Sequence, residues 1–370
     1  MERWILPVLA LAAPLAQAQV DFAPAADFQL SGAGPRDIVA ARLDADSALD
    51  LAVTSAQGDG KLTVLLNDGA GDFSDDQPLT VGWSAWGIAS GDLDGDGIND
   101  LVATDGNAAS NAVYLFRGDG NGGFSALGSP LSAGAFPTAV VVGRFDGDSH
   151  TDMAVASGQA GITVFPGTGN GNFGSPTSVP NANLALQDLA IAFLDGNTVP
   201  DLLTPQAAFL GDGQGGFVRG ASFGGTMAVA SGRVDSDGVT DVVAITDSQI
   251  QLWLGNGDGS FRFGSLHTPG GTLSAVAVAD LDNDQHADVV VSDSANDRVA
   301  VLLGGNGGLA APQYFATGSQ PAAVVIGDWN DDQRPDLAVP YRNLGEMARL
   351  SILLQSPSQD TALIFRDGFE

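Results

Sequence analysis

Four aspartates within one short stretch are the side chains in this sequence best suited to chemistry. The stretch GDLDGDGIND, residues 91–100, holds Asp92, Asp94, Asp96 and Asp100. Carboxylates this close repel one another unless a cation neutralises them, and calcium accepts hard oxygen ligands at about 2.3–2.6 Å. With Asp92 as position 1, the carboxylates stand at positions 1, 3, 5 and 9, and the backbone carbonyl of Ile98 at position 7 can complete the set. The spacing therefore predicts a calcium-binding loop.

The loop is not an EF-hand, although its first half resembles one. An EF-hand needs flanking helices and a bidentate glutamate at position 12. Position 12 here is Ala103, which lies inside a strand-like segment. Magnesium suits the loop less well than calcium, because it prefers a stricter octahedron and retains several waters. The loop must therefore be positioned by strands rather than by helices.

The aspartate loop occurs seven times along the chain. A second motif, rich in glycine and in asparagine or aspartate, keeps the same phase in six copies and supplies the positive φ values of tight hairpin turns. The segments between the two motifs are short and rich in Val, Ala, Leu and Ile, without helical periodicity. A period of about 40–50 residues suits one blade of a β-propeller. The aspartates at position 9, at spacings of 40 to 52 residues, are Asp50, Asp100, Asp152, Asp201, Asp241, Asp288 and Asp336.

The repeats predict an all-β fold, a seven-bladed β-propeller of four-stranded antiparallel blades over residues 19–357. The seventh repeat lacks a glycine turn and a fourth strand, whereas the segment VDFAPAADFQL near the start has strand character. We therefore expect an N-terminal strand, at about residues 20–30, to complete the last blade. Residues 358–370 fall outside the repeat and form a C-terminal tail.

The two motifs together resemble the FG-GAP or VCBS repeat family, which is found in integrin α-subunit propellers and in many secreted bacterial proteins. The resemblance covers about residues 20–357. It implies a seven-bladed propeller with calcium in the loops, in agreement with the interpretation of the residues themselves. It also implies that ligands bind at the face opposite the calcium loops.

Three loops keep the complete ligand set, and we predict one structural calcium ion in each. The alternative is an acidic turn that is solvated and holds no metal. Position 7 contributes a backbone carbonyl in each loop, from Ile98, His286 and Arg334. The side-chain ligands are Asp92, Asp94, Asp96 and Asp100 in the second repeat, Asp280, Asp282, Asp284 and Asp288 in the sixth, and Asp328, Asn330, Asp332 and Asp336 in the seventh.

The other four loops lack an acidic residue at position 1. Three of them carry arginine there, namely Arg42, Arg144 and Arg233. A guanidinium cannot ligate a cation but can pair with carboxylates. One hypothesis is therefore that these arginines replace calcium by pairing with the aspartates at positions 3 and 5, and the alternative is that they point to solvent. The fourth loop, with Phe193 at position 1, is predicted to bind no metal.

Composition and charge exclude several classes of partner. The formal net charge is −30, Lys61 is the only lysine, and cysteine is absent. Nucleic acids and anionic membranes are bound through basic residues, so neither is an expected partner. Disulfide and thiol chemistry are excluded.

The first residues predict export. Residues 1–18 combine an arginine near the start, an apolar run and a small-x-small end, which predicts a signal peptide cleaved near Ala18. No later segment has the roughly 18 uninterrupted apolar residues of a membrane span. We therefore expect a secreted or periplasmic monomer.

Binding is a better expectation than catalysis. The sequence has no HExxH and no GxSxG motif, and two of its three histidines lie at position 7 of a loop. The inter-blade segment VGWSAWG carries Trp83 and Trp86, which can stack on sugar rings or anchor a protein partner, or instead pack between blades. We therefore expect no enzymatic activity and a binding or adhesion module for an extracellular glycan or protein. The alternatives are an exported polysaccharide-active enzyme, lyase-like as some relatives are, and an envelope structural protein without a specific ligand.

Overall fold

Each repeat folds into one antiparallel sheet, and the seven sheets are arranged as a β-propeller. The computed structural model describes residues 19–58, 60–75, 78–158, 160–180, 182, 186–343 and 347–357. The prediction of an all-β, seven-bladed propeller is confirmed. The predicted signal peptide, residues 1–18, and the C-terminal tail, residues 358–370, lie outside the described residues. Within the described ranges, no helix is long and apolar enough to cross a membrane.

Every blade is built from four strand positions that run from the axis outwards. The innermost strands are Ala33–Ala41, Ala85–Gly91, Pro137–Gly143, Ala190–Ala192, Ala228–Gly232, Leu273–Ala279 and Val325–Gly327. The second strands are Asp50–Gln57, Asp100–Asp105, Asp152–Ser157, Asp201–Thr204, Asp241–Ile245, Asp288–Asp293 and Asp336–Tyr341. The third strands are Lys61–Asn67, Ala112–Gly118, Gly161–Phe165, Ala207–Gly211, Ile250–Gly255, Arg298–Leu302 and Arg349–Leu353.

The outer strands are shorter and less regular. Blades 1 and 2 each have two short outer segments, and a small hairpin, Gly167–Gly169 with Asn172–Phe173, precedes the outer strand of blade 3. In chain order, the outer strands are Phe73–Asp75 with Leu79–Thr80, Phe124–Ala126 with Leu131–Ser132, Thr177–Ser178, Phe217–Ser222, Phe261–His267 and Gln313–Ala316.

The hydrophobic core lies between neighbouring blades. The second strand of blade 6, Asp288–Asp293, is buried along its whole length, so its apolar residues form a continuous run instead of alternating. One core cluster joins Val243 and Leu252 of blade 5 to Val289 and Val291 of blade 6. Each fully buried side chain of this size contributes about 1.5–3 kcal/mol. Blade-to-blade packing thus holds the ring together.

The N-terminal segment forms the outer strand of blade 7. Residues Ala26–Gln29 pair antiparallel with the third strand Arg349–Leu353, with Ala26 opposite Ile352. Four residues before this strand, Phe22 forms an antiparallel bridge with Gln355, and both side chains are buried. The two ends of the propeller are thereby joined in one sheet, so the ring is closed by strand pairing.

A repeated hydrogen bond links each aspartate loop to the following blade. The carbonyl of position 2 in the loop accepts it, and a turn residue of the next blade donates it. Five of the seven donors are backbone amides of the glycine turns. The donor and acceptor pairs are Gly122 to Leu43, Gly171 to Leu93, Gly215 to Phe145, Gly259 to Leu194, Gly305 to Val234, the Gln355 side chain to Leu281 and the Asn67 side chain to Trp329, all at 2.8–3.2 Å.

Gln355 replaces the missing glycine turn of blade 7, and its removal is a test of this linkage. Its side-chain amide donates to the Leu281 carbonyl of blade 6 at 2.8 Å, and Gln355 is almost fully buried. We expect Gln355→Ala to lower the free energy of unfolding by about 1–2 kcal/mol, because a buried carbonyl loses its donor. Urea unfolding measures the change, with Gln187→Ala, at an exposed position, as the control. Equal effects of the two substitutions would contradict the linkage.

Candidate functional site

The seven aspartate loops lie at one end of the propeller. Each loop connects the C-terminal end of an innermost strand to the second strand of the same blade, and position 9 is the first residue of that second strand. Because strand direction is the same in every blade, all seven loops share this end. The N-terminal ends of the innermost strands lie at the opposite end.

The position-9 aspartates are fully buried in all seven blades. One carboxylate oxygen accepts the backbone N–H of position 2 at 2.6–2.9 Å, and the other accepts a backbone N–H at the end of the third strand or two residues after it, at 2.6–3.0 Å. Asp201 makes both bonds although its loop was predicted to hold no metal. Position 9 therefore connects loop and third strand in every blade, a role that the sequence analysis did not predict.

Burial raises the pKa of every position-9 carboxyl. The pKa reaches about 7 for Asp288 and about 6 for Asp336, where nearby loop carboxylates add to the effect of burial and the backbone N–H groups oppose it. A cation favours the ionised form of a neighbouring carboxyl. A metal ion in these loops would therefore lower the pKa of the buried aspartates.

The three loops predicted to bind calcium share a backbone conformation that the other four lack. In each, positions 4 and 6 have positive φ, even where the residue is not glycine, as with Asn283 and Gln285. The N–H of position 6 then donates to the position-1 carboxylate at 2.8–3.0 Å. Each other loop has at most one such residue at positions 4 and 6. An aspartate at position 1 and this doubly left-handed turn therefore occur together.

Carboxylate oxygens approach one another closely in four loops. In each, one oxygen from each of three aspartates lies within 4.8 Å of the others, an arrangement that can hold a metal ion. Two of the four belong to predicted calcium loops and two to arginine loops. The clusters are Asp92, Asp94 and Asp96; Asp146, Asp148 and Asp152; Asp235, Asp237 and Asp241; and Asp280, Asp282 and Asp288.

Some predicted ligands lie outside these clusters. Asp100 belongs to the second loop but not to its cluster, and Asp284 of the sixth loop is 3.1 Å from the Nδ1 atom of His286. The seventh loop uses Asn330, whose amide nitrogen lies 3.1 Å from Asp332. The donor set of all three predicted loops is made of oxygen atoms, which fits a hard cation such as calcium.

Guanidinium groups contact the predicted ligands in two of these loops. Arg117 pairs with Asp94 and Asp96 at 2.7 Å each, and its side chain is half exposed. Arg334 contacts Asp332 in the seventh loop. Exposed ion pairs contribute only about 0–1 kcal/mol, so a cation can displace these side chains.

The arginines at position 1 do not neutralise their own loops. Arg42, Arg144 and Arg233 are all exposed, and none has an ion pair with a described carboxylate. Arg42 donates instead to the carbonyl of Ser47 at 3.2 Å. The hypothesis that these arginines replace calcium by pairing with the loop aspartates is therefore wrong. The alternative, that they point to solvent, describes all three.

The opposite end of the propeller carries an axial cavity of about 640 Å³. Residues at the N-terminal ends of the innermost strands of all seven blades line it. Five residues before position 1, five blades carry Gly or Ala, while blades 1 and 4 carry Asp37 and Asp188. Burial raises the pKa of both, and the pKa of Asp37, which also feels the charge of Asp188, reaches about 7. The sequence analysis missed these two residues, which alignment of the repeats at this position reveals.

Trp86 lines the cavity and also packs between blades. Its ring meets Phe136 of blade 3 edge-on, with centroids 4.9 Å apart, and the Arg36 guanidinium lies 4.3 Å from its centroid. The packing alternative therefore describes Trp86, and its role in ligand binding stays a prediction. Trp83 does not line the cavity and is 70% exposed at the same end of the propeller.

Comparisons with solved structures show the same fold. A lectin from Agrocybe aegerita, described for specific recognition of non-reducing terminal N-acetylglucosamine, is 18% identical over 86% of this chain and 87% of its own, with a TM-score of 0.53. BBS1N, solved in complex with ARL6DN and soaked with mercury, is 11% identical over 91% of this chain and 98% of its own, with a TM-score of 0.61. The lead-soaked form of that complex gives 12% identity, coverage of 89% and 95%, and a TM-score of 0.60.

Sequence comparison gives the family. No curated protein matches the chain. The model of the FG-GAP-like repeat matches residues 42–103, 92–155, 233–291 and 280–339, which together make up more than half of the chain. Two of these matches begin at position 1 of a predicted calcium loop, and two begin at an arginine in that position. The chain belongs to the FG-GAP-like repeat family.

Proposed function

We propose that this protein is an exported, calcium-stabilised binding module that recognises an extracellular glycan at the end of the propeller opposite the aspartate loops. The proposal rests on the axial cavity, which has a volume of about 640 Å³ and is lined by Trp86 and by polar side chains such as Arg36 and Asp37. Ligand pockets of about 300–1,000 Å³ that combine apolar walls with a few polar groups are typical of small-molecule and sugar sites. A lectin with the same fold recognises a glycan, whereas BBS1N with the same fold was solved with a protein partner, so the choice of a glycan rests on the cavity.

Calcium has a structural role in this proposal. The loops of blades 2, 6 and 7 would each hold one ion through oxygen ligands at positions 1, 3, 5, 7 and 9. The carbonyl of position 2 in the same loops accepts the hydrogen bond from the next blade, so ordering a loop also orders a blade interface. The proposal assigns the ligand to the cavity end and the metal to the loop end, with the monomer as the functional unit.

A glycan array tests the proposed function directly. We expect the mature chain, residues 19–370, to bind one class of glycan. Trp86→Ala should reduce that binding at least about tenfold, or about 1.4 kcal/mol, since the cavity loses the aromatic side chain that lines it and contacts the Arg36 guanidinium. Trp83→Ala is the second variant. Trp83 is exposed outside the cavity, so its loss leaves the blade packing intact and should reduce binding less than Trp86→Ala does.

Phe263→Ala is the matched control, since it removes another exposed aromatic side chain, on the outer strand of blade 5. It should leave glycan binding unchanged. A protein that binds no glycan on the array, or that loses binding equally in all three variants, would contradict the proposed site.

A further inference from the structure

Two arginines of the axial cavity have no acidic partner among the described residues. Arg36 and Arg342 both line the cavity. Neither has a carboxylate oxygen within 4.0 Å among the described residues. The chain has 44 acidic residues against 14 basic ones, so partners for a guanidinium are plentiful elsewhere. Burial and the like charge of Arg342 both lower the pKa of Arg36.

Trp86 holds one of these guanidinium groups in place. The Arg36 guanidinium lies 4.3 Å from the centroid of the Trp86 ring. A guanidinium stacked on an aromatic face still presents its in-plane N–H groups, which match a carboxylate or a sulfate in bidentate geometry. The stacked pair therefore forms a fixed donor for an anion beside an aromatic surface.

Hydrogen-bond acceptors also line the same cavity. The carboxylate of Asp37 accepts the N–H groups of Ile38 and Ile88, and that of Asp188 accepts those of Leu189 and Val229. A carboxylate offers about four lone-pair sites, so each retains about two for further donors. Sugar hydroxyls are donors of this kind, whereas a hydrophobic ligand would leave the carboxylates unsatisfied.

We infer that the axial cavity binds a sugar ring that carries an anionic group, with the anion on Arg36 and Arg342, the ring beside Trp86 in the cavity, and hydroxyl groups donating to Asp37 and Asp188. The inference rests on the proposed function and names the class of glycan that the same site takes. A neutral sugar would leave both guanidinium groups without an ion-pair partner within 4.0 Å in the described part of the chain. The anion can be a carboxylate or a sulfate, since both accept bidentate hydrogen bonds from arginine.

The test compares ligands that differ only in the charged group. Isothermal titration calorimetry of the full mature chain uses a galacturonate trisaccharide, its carboxyl-reduced galactose counterpart, and the same galactose trisaccharide bearing a 6-sulfate. We expect at least one anionic trisaccharide to bind about tenfold or more tightly than the reduced one, because charge-assisted hydrogen bonds are the stronger ones. The difference between the uronate and the sulfate identifies the source of the anion.

Substitutions of the two arginines test whether they cause the preference for the anionic trisaccharide. Arg342→Gln and the double change Arg36→Gln with Arg342→Gln should remove the preference for the anionic ligand while the weaker binding of the reduced trisaccharide persists. Arg342→Gln serves as the variant that leaves the stacking of Arg36 on Trp86 intact. Arg144→Gln is the control, because it removes the same charge from an exposed site at the loop end and should change nothing.

The outcomes separate this inference from the proposed function. Equal affinity for charged and reduced trisaccharides, or a preference that survives the double variant, overturns the inference. Binding of neutral glycans alone on the array overturns it as well, while the proposed function stands. Absence of any glycan binding overturns both.

Discussion

Asp201→Ala is expected to lower the free energy of unfolding by about 3 kcal/mol, because it leaves two buried backbone N–H groups without acceptors at about 1–3 kcal/mol each. Asp201 is fully buried and accepts bonds from Leu194 and Gly211. The Leu194 carbonyl in turn accepts a bond from Gly259 of blade 5, so the loss reaches the next blade interface. The desolvation that raises the pKa of Asp201 is relieved by the substitution, which keeps the cost below the sum of both bonds.

The fourth loop is the right place for this measurement. It has Phe193 at position 1 and was predicted to hold no metal, so the effect of position 9 is separated from that of calcium. Urea unfolding with and without a chelator should give the same loss for Asp201→Ala. Asp195→Ala in the same loop is the control, and we expect a change below about 0.5 kcal/mol there, as is usual for surface substitutions. A loss that appears only in the presence of calcium would contradict a metal-independent role.

The architecture could be predicted from the sequence because the repeat shows it seven times. A spacing of 40 to 52 residues between position-9 aspartates sets the blade number, and the absence of a fourth strand after Arg349–Leu353 points to the strand supplied by the N-terminal segment. Regular spacing predicts both the number of blades and the missing strand, because each blade repeats the same order of strands and turns. The role of position 9 was harder to predict. Position 9 is an aspartate in every loop, and the sequence alone does not distinguish an aspartate that accepts backbone N–H groups from one that ligates calcium.

Other features depend on contacts that local spacing does not contain. The direction of a long arginine side chain is decided by its surroundings, and Arg144 lies exposed although carboxylates stand two and four residues away. The axial cavity is built from seven strand ends that are about one blade apart in sequence. Arg36 and Arg342 lie in the first and last blades and line one cavity only because the ring closes. Asp37 and Asp188 become visible only when the repeats are aligned with one another.

Calcium is expected to raise the free energy of unfolding by about 4 kcal/mol over the chelated protein, since each of three sites contributes about 1.4 kcal/mol at ten times its Kd. This is a large share of the typical stability of about 5–15 kcal/mol. Asp92→Ala, Asp280→Ala and Asp328→Ala should each remove about one third of the calcium-dependent increment. Asp195→Ala, in the fourth loop, should leave the increment unchanged.

The sharpest test of this prediction is which three loops bind calcium. The residue at position 1 and the doubly left-handed turn favour blades 2, 6 and 7, whereas close carboxylate clusters occur in blades 2, 3, 5 and 6. Calorimetric titration with calcium should give three bound ions, one fewer in Asp328→Ala, and still three in Asp146→Ala. A site lost in Asp146→Ala but not in Asp328→Ala would mean that the approach of carboxylates, and not position 1, decides where calcium binds. The expected order follows from geometry, because an aspartate at position 1 adds a ligand and its bond to the N–H of position 6 already holds the loop in the conformation that wraps an ion.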